Sequence, residues 1–203
     1  MKTALDKHIE SLAKEDRFFE EVFVKKIYQP VLELGGLNTV IDLGACGGEF
    51  SFWIYDRALK IYAIEPIKKQ FNKMNQILRE YSLENEKICT HNLALGDFNG
   101  QGYMSETKTH GGARLMQDNQ VTKNPVRVET LATFMRENNI DAVDVLKIDI
   151  EGGELGVFSA SDFSQVADKI KFIIGEHGSD IQELLESHGF KYRKYNKGFI
   201  FEK

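Results

Sequence analysis

A chain of 203 residues, 42% hydrophobic and 11% aromatic with three prolines, is large enough to bury one continuous core and too apolar to be disordered or fibrous. Its formal charge of −5 is spread along the chain, which excludes the basic stripe that neutralises a nucleic-acid backbone. No apolar run reaches the ~18 residues of a membrane span, and the charged start is unlike a secretory leader. The two cysteines, Cys46 and Cys89, make neither a disulfide framework nor a metal-type spacing, although one bridge between them stays open; a cytoplasmic location is expected.

In chain order, Leu5, Ile9, Leu12 and Ala13, then Phe18, Phe19, Val22, Phe23 and Ile27, recur at helical spacing as far as Pro30, and the "ELGG" glycines end this lead-in. From Thr39 short β-branched runs alternate with longer amphipathic segments. The runs are "TVIDL" (39–43), "IYAIE" (61–65), "KICTHNLAL" (87–95), "VDVLKIDI" (143–150) and "IKFIIGE" (170–176). Helical periodicity fills "EFSFWIYDRALK", "PIKKQFNKMNQILREYSL", which Pro66 opens, and "TLATFMRENN", for which Thr130 is the N-cap.

Strands separated by helices run parallel, and right-handed crossovers put helices on both faces. The expected fold is therefore α/β, a doubly wound, mostly parallel, Rossmann-like sheet. "FKYRKY" (190–195) and "FIFEK" (199–203) add a C-terminal antiparallel hairpin. The chain reads as a single domain over 1–203, with a helical lead-in over 1–36 and the α/β core over 37–203. Gly96 to Val126 reads mostly as loop, with "GYMS" as a short strand, and a loop this long suggests a lid.

In such sheets ligands bind beyond the carboxyl ends of the strands. "DLGACGG" occupies that place after the first strand, and its glycines permit a tight turn whose N–H groups approach a ligand. Cys46 stands where a dinucleotide fingerprint has its second glycine. Asp42 would repel a pyrophosphate but suits cationic groups, such as the sulfonium and ammonium of S-adenosylmethionine. Glu65, 23 positions later, stands where an acid accepts hydrogen bonds from ribose hydroxyls.

The ordered motifs "IDLGACGGEFS", "AIEP", "NLALGD", "VETLATF" and "LKIDIEGGE" resemble those of FkbM-type S-adenosylmethionine-dependent methyltransferases, from about Thr39 to Glu176. The chain departs from that pattern at Cys46 and Gly47. The resemblance implies a class I methyltransferase fold, S-adenosylmethionine held by Asp42, Gly44, Gly48 and Glu65, and an adenine segment at Asn92 and Ala94. It also implies methyl transfer to a hydroxyl of a small-molecule or carbohydrate acceptor, with Asp149 and Glu151 at the end of the fourth main-sheet strand.

Alternation along "LKIDIEGG" puts Lys147, Asp149 and Glu151 on one face, where charges need a ligand or one another. His177, beside Glu176 after the fifth main-sheet strand, is the first candidate for general base. His110 in the presumed lid is a second, with Arg114 as a clamp for an anionic or polyol acceptor. Asp149, Glu151, Glu176 and His177 together could hold a divalent metal ion, although their spacing sets no geometry. Two other functions stay open: a non-catalytic cofactor-binding scaffold and, opposed by Cys46 and Asp42, an NAD-dependent oxidoreductase. The lead-in is expected either to cover the pocket or to form part of a homodimer interface.

Overall fold

The structure, a computed structural model, describes residues 4–81, 83, 87–105, 114–116, 124–176, 178–195 and 198–203. Its strands are β1 (Leu37–Leu43), β2 (Ala58–Ile64), β3 (Ile88–His91), β4 (Ala94–Leu95), β5 (Gly100–Met104), β6 (Leu115–Met116), β7 (Asn124–Glu129), β8 (Val143–Ile148), β9 (Ile170–Glu176), β10 (Lys191–Tyr195) and β11 (Gly198–Glu202). Its α-helices are α1 (Ala4–Glu15), α2 (Arg17–Phe19), α3 (Glu49–Trp53), α4 (Lys68–Glu80), α5 (Leu131–Glu137), α6 (Glu154–Ser159) and α7 (Gln182–Ser187).

The main sheet has seven strands in the order β10-β11-β9-β8-β1-β2-β3. Only β11 runs against its neighbours, inserted antiparallel between β9 and β10. Consecutive residues of the central strands enter different cores, because strand side chains alternate across the sheet. Val40, Ile61, Val145 and Ile174 pack with Phe50, Met74 and Val31 on one face. Ile41, Ile64, Leu146 and Ile173 pack with Phe134, Phe158 and Leu185 on the other. The sheet is thus covered on both faces, as its runs of buried β-branched residues require.

The lead-in belongs to the first of these cores. Asp16 caps α2 by accepting from the Phe18 N–H at 3.0 Å, and its other oxygen lies 2.5 Å from Lys73 Nζ, tying the lead-in to α4. After α2 the backbone widens into a π-helical turn, Glu20–Val24, then tightens into a 3₁₀ segment, Gln29–Leu34, that stops at Gly35. The expected second regular helix up to Pro30 is thus replaced by a distorted one. Such bulges concentrate at functional sites, and this one puts Glu21 and Val22 over a cavity.

Thr130 caps α5 as expected, its Oγ1 accepting from the Thr133 N–H at 3.2 Å. Pro66 instead precedes α4, whose N-cap is Ile67. "KICTHNLAL" is two strands: β3 ends the main sheet, whereas β4 joins a separate four-stranded sheet of order β4-β7-β5-β6. The segment expected to be mostly loop supplies the other three strands of that sheet. Its small core joins Ala94, Met104, Val126 and Val128. Among the described residues no helix is long and apolar enough to cross a membrane.

Candidate active site

The carboxyl ends of β1, β2 and β8 open into a cavity of about 590 Å³, roofed by Phe18, Glu21, Val22 and Tyr28 of the lead-in. The turn after β1 forms its floor. Gly44 and Ala45 both donate their N–H groups to the Ile64 carbonyl, at 3.1 and 3.0 Å, and Gly48 donates to Ala45 at 2.8 Å. The Cys46 N–H donates to Glu65 Oε2 at 2.8 Å, while the Ile67 N–H donates to Oε1 at 2.6 Å. Gly44 has φ +78, and a Cβ on it would lie 2.0 Å from the Asp149 carbonyl oxygen. This glycine is required because β8 comes so close, and the row of free N–H groups expected of the turn is absent at these four residues. The cavity therefore offers a ligand carboxylates in place of amide donors.

Two of these carboxylates are buried. Burial pushes Glu65 up to about 7 despite its two backbone donors. Burial likewise pushes Glu49, the first residue of α3, up to about 8, and its Oε1 has no hydrogen-bond partner among the described residues. A third, Asp149, is half-buried and accepts from the Tyr28 hydroxyl at 3.4 Å. The Tyr28 ring packs edge-on against Phe50 at 5.0 Å, and burial holds its phenol well above the ordinary value, so it remains a proton donor.

Glu21, Ile27 and Tyr28 also line a second cavity of about 310 Å³. It is walled mainly by apolar side chains, Val31, Ile174, Phe199 and Ile200, with Glu176 at the end of β9 and Arg17 among its charged groups. Tyr28 is thus shared between the two cavities.

The methyltransferase FkbM domain family matches residues 42–194 of this chain. The chain belongs to that methyltransferase family. The AMB antimetabolite synthetase AmbE of Pseudomonas aeruginosa is 23% identical over 229 aligned positions, which take in 89% of this chain and 11% of the synthetase. The chain therefore spans about a tenth of the length of that relative. A methyltransferase FkbM from Methylobacillus flagellatus KT superposes with a TM-score of 0.56 at 16% identity, over 82% of this chain and 43% of that one. Sp1610 of Streptococcus pneumoniae, solved with S-adenosyl-L-methionine, gives 0.54 at 13% identity, over 88% of this chain and 72% of its own. These structures share the class I methyltransferase fold.

Within this FkbM domain the sequence-expected residues separate into groups. Gly44, Glu65, Asp149 and Glu151 line the larger cavity. Asp42 does not: it is fully buried beneath the turn, with Oδ2 accepting from Ser51 Oγ at 2.7 Å and Oδ1 lying 3.1 Å from Lys147 Nζ. Burial alone would lower the Lys147 pKa, but Asp42, Tyr28 and Asp149 together outweigh it and hold the ammonium above its ordinary range. Of the partners open to Lys147, a ligand or the acids after it, the direct ion pair is made by neither but by Asp42 on the neighbouring strand, with Asp149 acting on it as a nearby charge.

Gly48, with φ +92, faces Phe52 and Met74 and is absent from the cavity wall. Asn92 also lies off the wall and donates from Nδ2 to the Glu65 and Pro66 carbonyls at 2.8 and 3.0 Å, bracing the Glu65 loop from behind. Ala94 is buried in the core of the smaller sheet. Glu151 stands after the end of β8 with φ +57 and is exposed, so strand alternation does not carry it onto the face of Lys147. Arg114 lines neither cavity, and His110 and His177 lie outside the described residues.

Both cysteines are free thiols. Burial raises the Cys46 thiol, and the nearby Glu49 and Glu65 raise it further. Among the described residues no group of three His, Cys, Asp or Glu side chains is gathered for a metal ion.

Neither Glu49 nor Tyr28 stands out in the sequence as a site residue. An acid just inside a helix start is ordinary dipole complementation, and only tertiary packing brings Tyr28 to Asp149. The one local signal for Glu49 was its place immediately after Gly47 and Gly48.

Proposed function

We propose that this domain transfers a methyl group from S-adenosylmethionine to a hydroxyl oxygen of a small-molecule or sugar acceptor. The observation that carries the cofactor assignment is the larger cavity's chemistry. Gly44, Ala45, Cys46 and Gly48 spend their N–H groups on protein acceptors, while the buried carboxyls of Glu49 and Glu65 border the space. The acids of the wall, Glu21, Glu49, Glu65, Asp149 and Glu151, outnumber its two cations, Lys69 and Lys147, and Lys147 is already paired with Asp42, so a sulfonium with an ammonium and a ribose diol suits the space better than a pyrophosphate. The volume lies within the range of small-molecule sites.

When bound, S-adenosylmethionine supplies an electrophilic methyl on a positively charged sulfur. Glu65, fixed by two backbone donors, can still accept from ribose hydroxyls through its remaining lone pairs. Asp149, oriented by Tyr28, takes the acceptor's hydroxyl proton as the oxygen attacks. The second cavity meets the first at Tyr28 and seats the acceptor, its apolar wall excluding water from the attacking oxygen. Asp149 would hold the proton that the acceptor hydroxyl gives up, while Glu65 would keep the ribose of the methyl donor in place.

The test is calorimetry with S-adenosylmethionine and with NAD, followed by labelled-methyl transfer to a panel of hydroxylated small molecules and sugars. Asp149→Asn is expected to bind the cofactor normally and to lose transfer. Binding of NAD with no binding of S-adenosylmethionine would overturn the reading, and binding with no transfer to any acceptor would favour a scaffold.

A further inference from the structure

We infer that the acceptor is a phenol, a flat aromatic ring whose hydroxyl receives the methyl group, and that Tyr195 is the wall on which this ring lies. The inference rests on the transfer to a hydroxyl proposed above and narrows its acceptor. Tyr195 of β10, Gly198 of β11 and Glu176 of β9 stand in one register row across three strand ends, and all three line the second cavity. Gly198 has no side chain, so the row is open at its middle strand, and the flanking strands lie about 10 Å apart there. A slot bounded by a half-buried tyrosine ring suits a planar group set against that ring.

Behind this row the wall is apolar. Ile174 and Ile200 are paired in register on β9 and β11, and the lead-in adds Ile27, Pro30 and Val31. A sugar carries hydroxyls around its whole ring, and those turned toward these residues would be buried without partners, which is costly. A phenol has one hydroxyl to satisfy. Tyr28, shared by the two cavities and bonded to Asp149, marks where that hydroxyl enters the larger one.

Charge and size narrow the class further. The charged residues of the wall are Arg17 and Lys25 against Glu21 and Glu176. Arg17 is paired with Glu21 at 2.9 Å and Lys25 with Glu20 at 3.2 Å, so the wall has no net charge with which to select an ionic acceptor. A volume of about 310 Å³ stands at the small end of ligand sites and suits one ring with a short substituent.

The proton chemistry points the same way. The base in the proposed reaction is a carboxylate, and carboxylates are weak bases. A phenol ionises near pH ~10, whereas an aliphatic hydroxyl is a far weaker acid, so Asp149 takes the proton of a phenol more readily than that of a sugar. The phenol oxygen exchanges its proton, which Asp149 holds, for the methyl group, which leaves its bonding pair on the donor's sulfur.

The experiment measures labelled-methyl transfer from S-adenosylmethionine to three acceptors of one ring each: para-cresol, para-methylcyclohexanol and methyl glucoside. It also titrates para-cresol calorimetrically into wild type, Tyr195→Ala and Tyr195→Phe. Para-cresol is expected to exceed the other two in kcat/KM by about 100-fold. Tyr195→Ala is expected to weaken para-cresol about tenfold in both Kd and KM, with kcat and S-adenosylmethionine affinity nearly unchanged. Tyr195→Phe keeps the ring and should stay within about twofold of wild type. Should Tyr195→Ala fail to fold, Tyr195→Leu carries the same expectation, because it also removes the ring.

Transfer to methyl glucoside or para-methylcyclohexanol at or above the rate for para-cresol overturns the phenol and leaves transfer to a hydroxyl standing. Equal para-cresol affinity in wild type and a folded variant without the ring overturns the role of Tyr195. Wild type that methylates another hydroxyl compound but not para-cresol overturns the phenol alone. Wild type that binds S-adenosylmethionine and methylates no hydroxyl compound at all removes the reading beneath it as well.

Discussion

Asp42 and Lys147 stand in register on adjacent parallel strands, and their Oδ1 and Nζ atoms lie 3.1 Å apart with almost no exposure to solvent. Ser51 donates to the other carboxylate oxygen, and the ammonium donates to the Gly44 carbonyl at 2.7 Å, so the pair joins β1, α3 and β8 directly under the turn. Breaking such a pair from one side leaves a buried charge uncompensated. Lys147→Met is therefore expected to cost about 3–5 kcal/mol in urea denaturation. Adding Asp42→Asn to that variant should restore a substantial part of the loss, because the stranded charge disappears with it. A double variant no more stable than Lys147→Met would show that the pair is not the source of the cost.

The Tyr28 hydroxyl is the one polar link described between the roof of the cavity and Asp149. Tyr28→Phe keeps the ring and its edge-on packing against Phe50, so stability should change by no more than about 1 kcal/mol. Turnover should fall about tenfold or more as Asp149 loses its orientation, with cofactor affinity nearly unchanged. The comparison is kcat against cofactor Kd in the same preparation. A fall in affinity matching the fall in rate would move Tyr28 from orienting Asp149 to holding the cofactor.

What the sequence disclosed followed the range of each interaction. The central strands were legible because "TVIDL", "IYAI" and "IKFIIG" carry β-branched residues to both faces, and Thr130 was legible because a cap bonds only three residues ahead. The smaller sheet was hidden: β5 contains Gly100 and Gly102, β6 is two residues long, and Pro125 interrupts the donors of β7. At the site, Lys147 and Asp149 alternate on one strand end, a pattern that leaves open a ligand or a local balance of charge. The actual counter-ion is 105 positions away and becomes a neighbour only once β1 is known to lie beside β8. Tyr28 was illegible for the same reason.

Two positive-φ glycines separate backbone strain from steric overlap. Gly152, at φ +94, has nothing within 4 Å of a hypothetical Cβ, so Gly152→Ala should cost only the strain, about 1–2 kcal/mol. Gly44→Ala adds a Cβ 2.0 Å from the Asp149 carbonyl oxygen, which cannot move away without disturbing the end of β8. Its cost should exceed about 3 kcal/mol. Urea midpoints measured side by side decide this, and equal losses would mean that β8 shifts freely at its end.

The buried acids make a pH prediction whose sign can be worked out. Burial raises Glu49 from 4.5 to about 8 and Glu65 from 4.5 to about 7. Between those limits the folded protein holds protons that the unfolded chain has released, so the contribution of each group to stability is complete below about pH 4.5 and declines as pH rises through the folded value. Glutamine at position 49 mimics the protonated acid. Glu49→Gln should therefore match wild type at pH 5 and exceed it at pH 8.5 by on the order of 3 kcal/mol. Glu65→Gln should flatten the pH profile over a narrower range. It should also be about 1 kcal/mol less stable than wild type at pH 5, because one amide oxygen cannot serve both the Cys46 and Ile67 N–H groups. Urea denaturation of the three proteins at pH 5, 6.5 and 8.5 measures all of this. Curves that stay parallel across that range would mean that neither acid carries a raised pKa in the folded state.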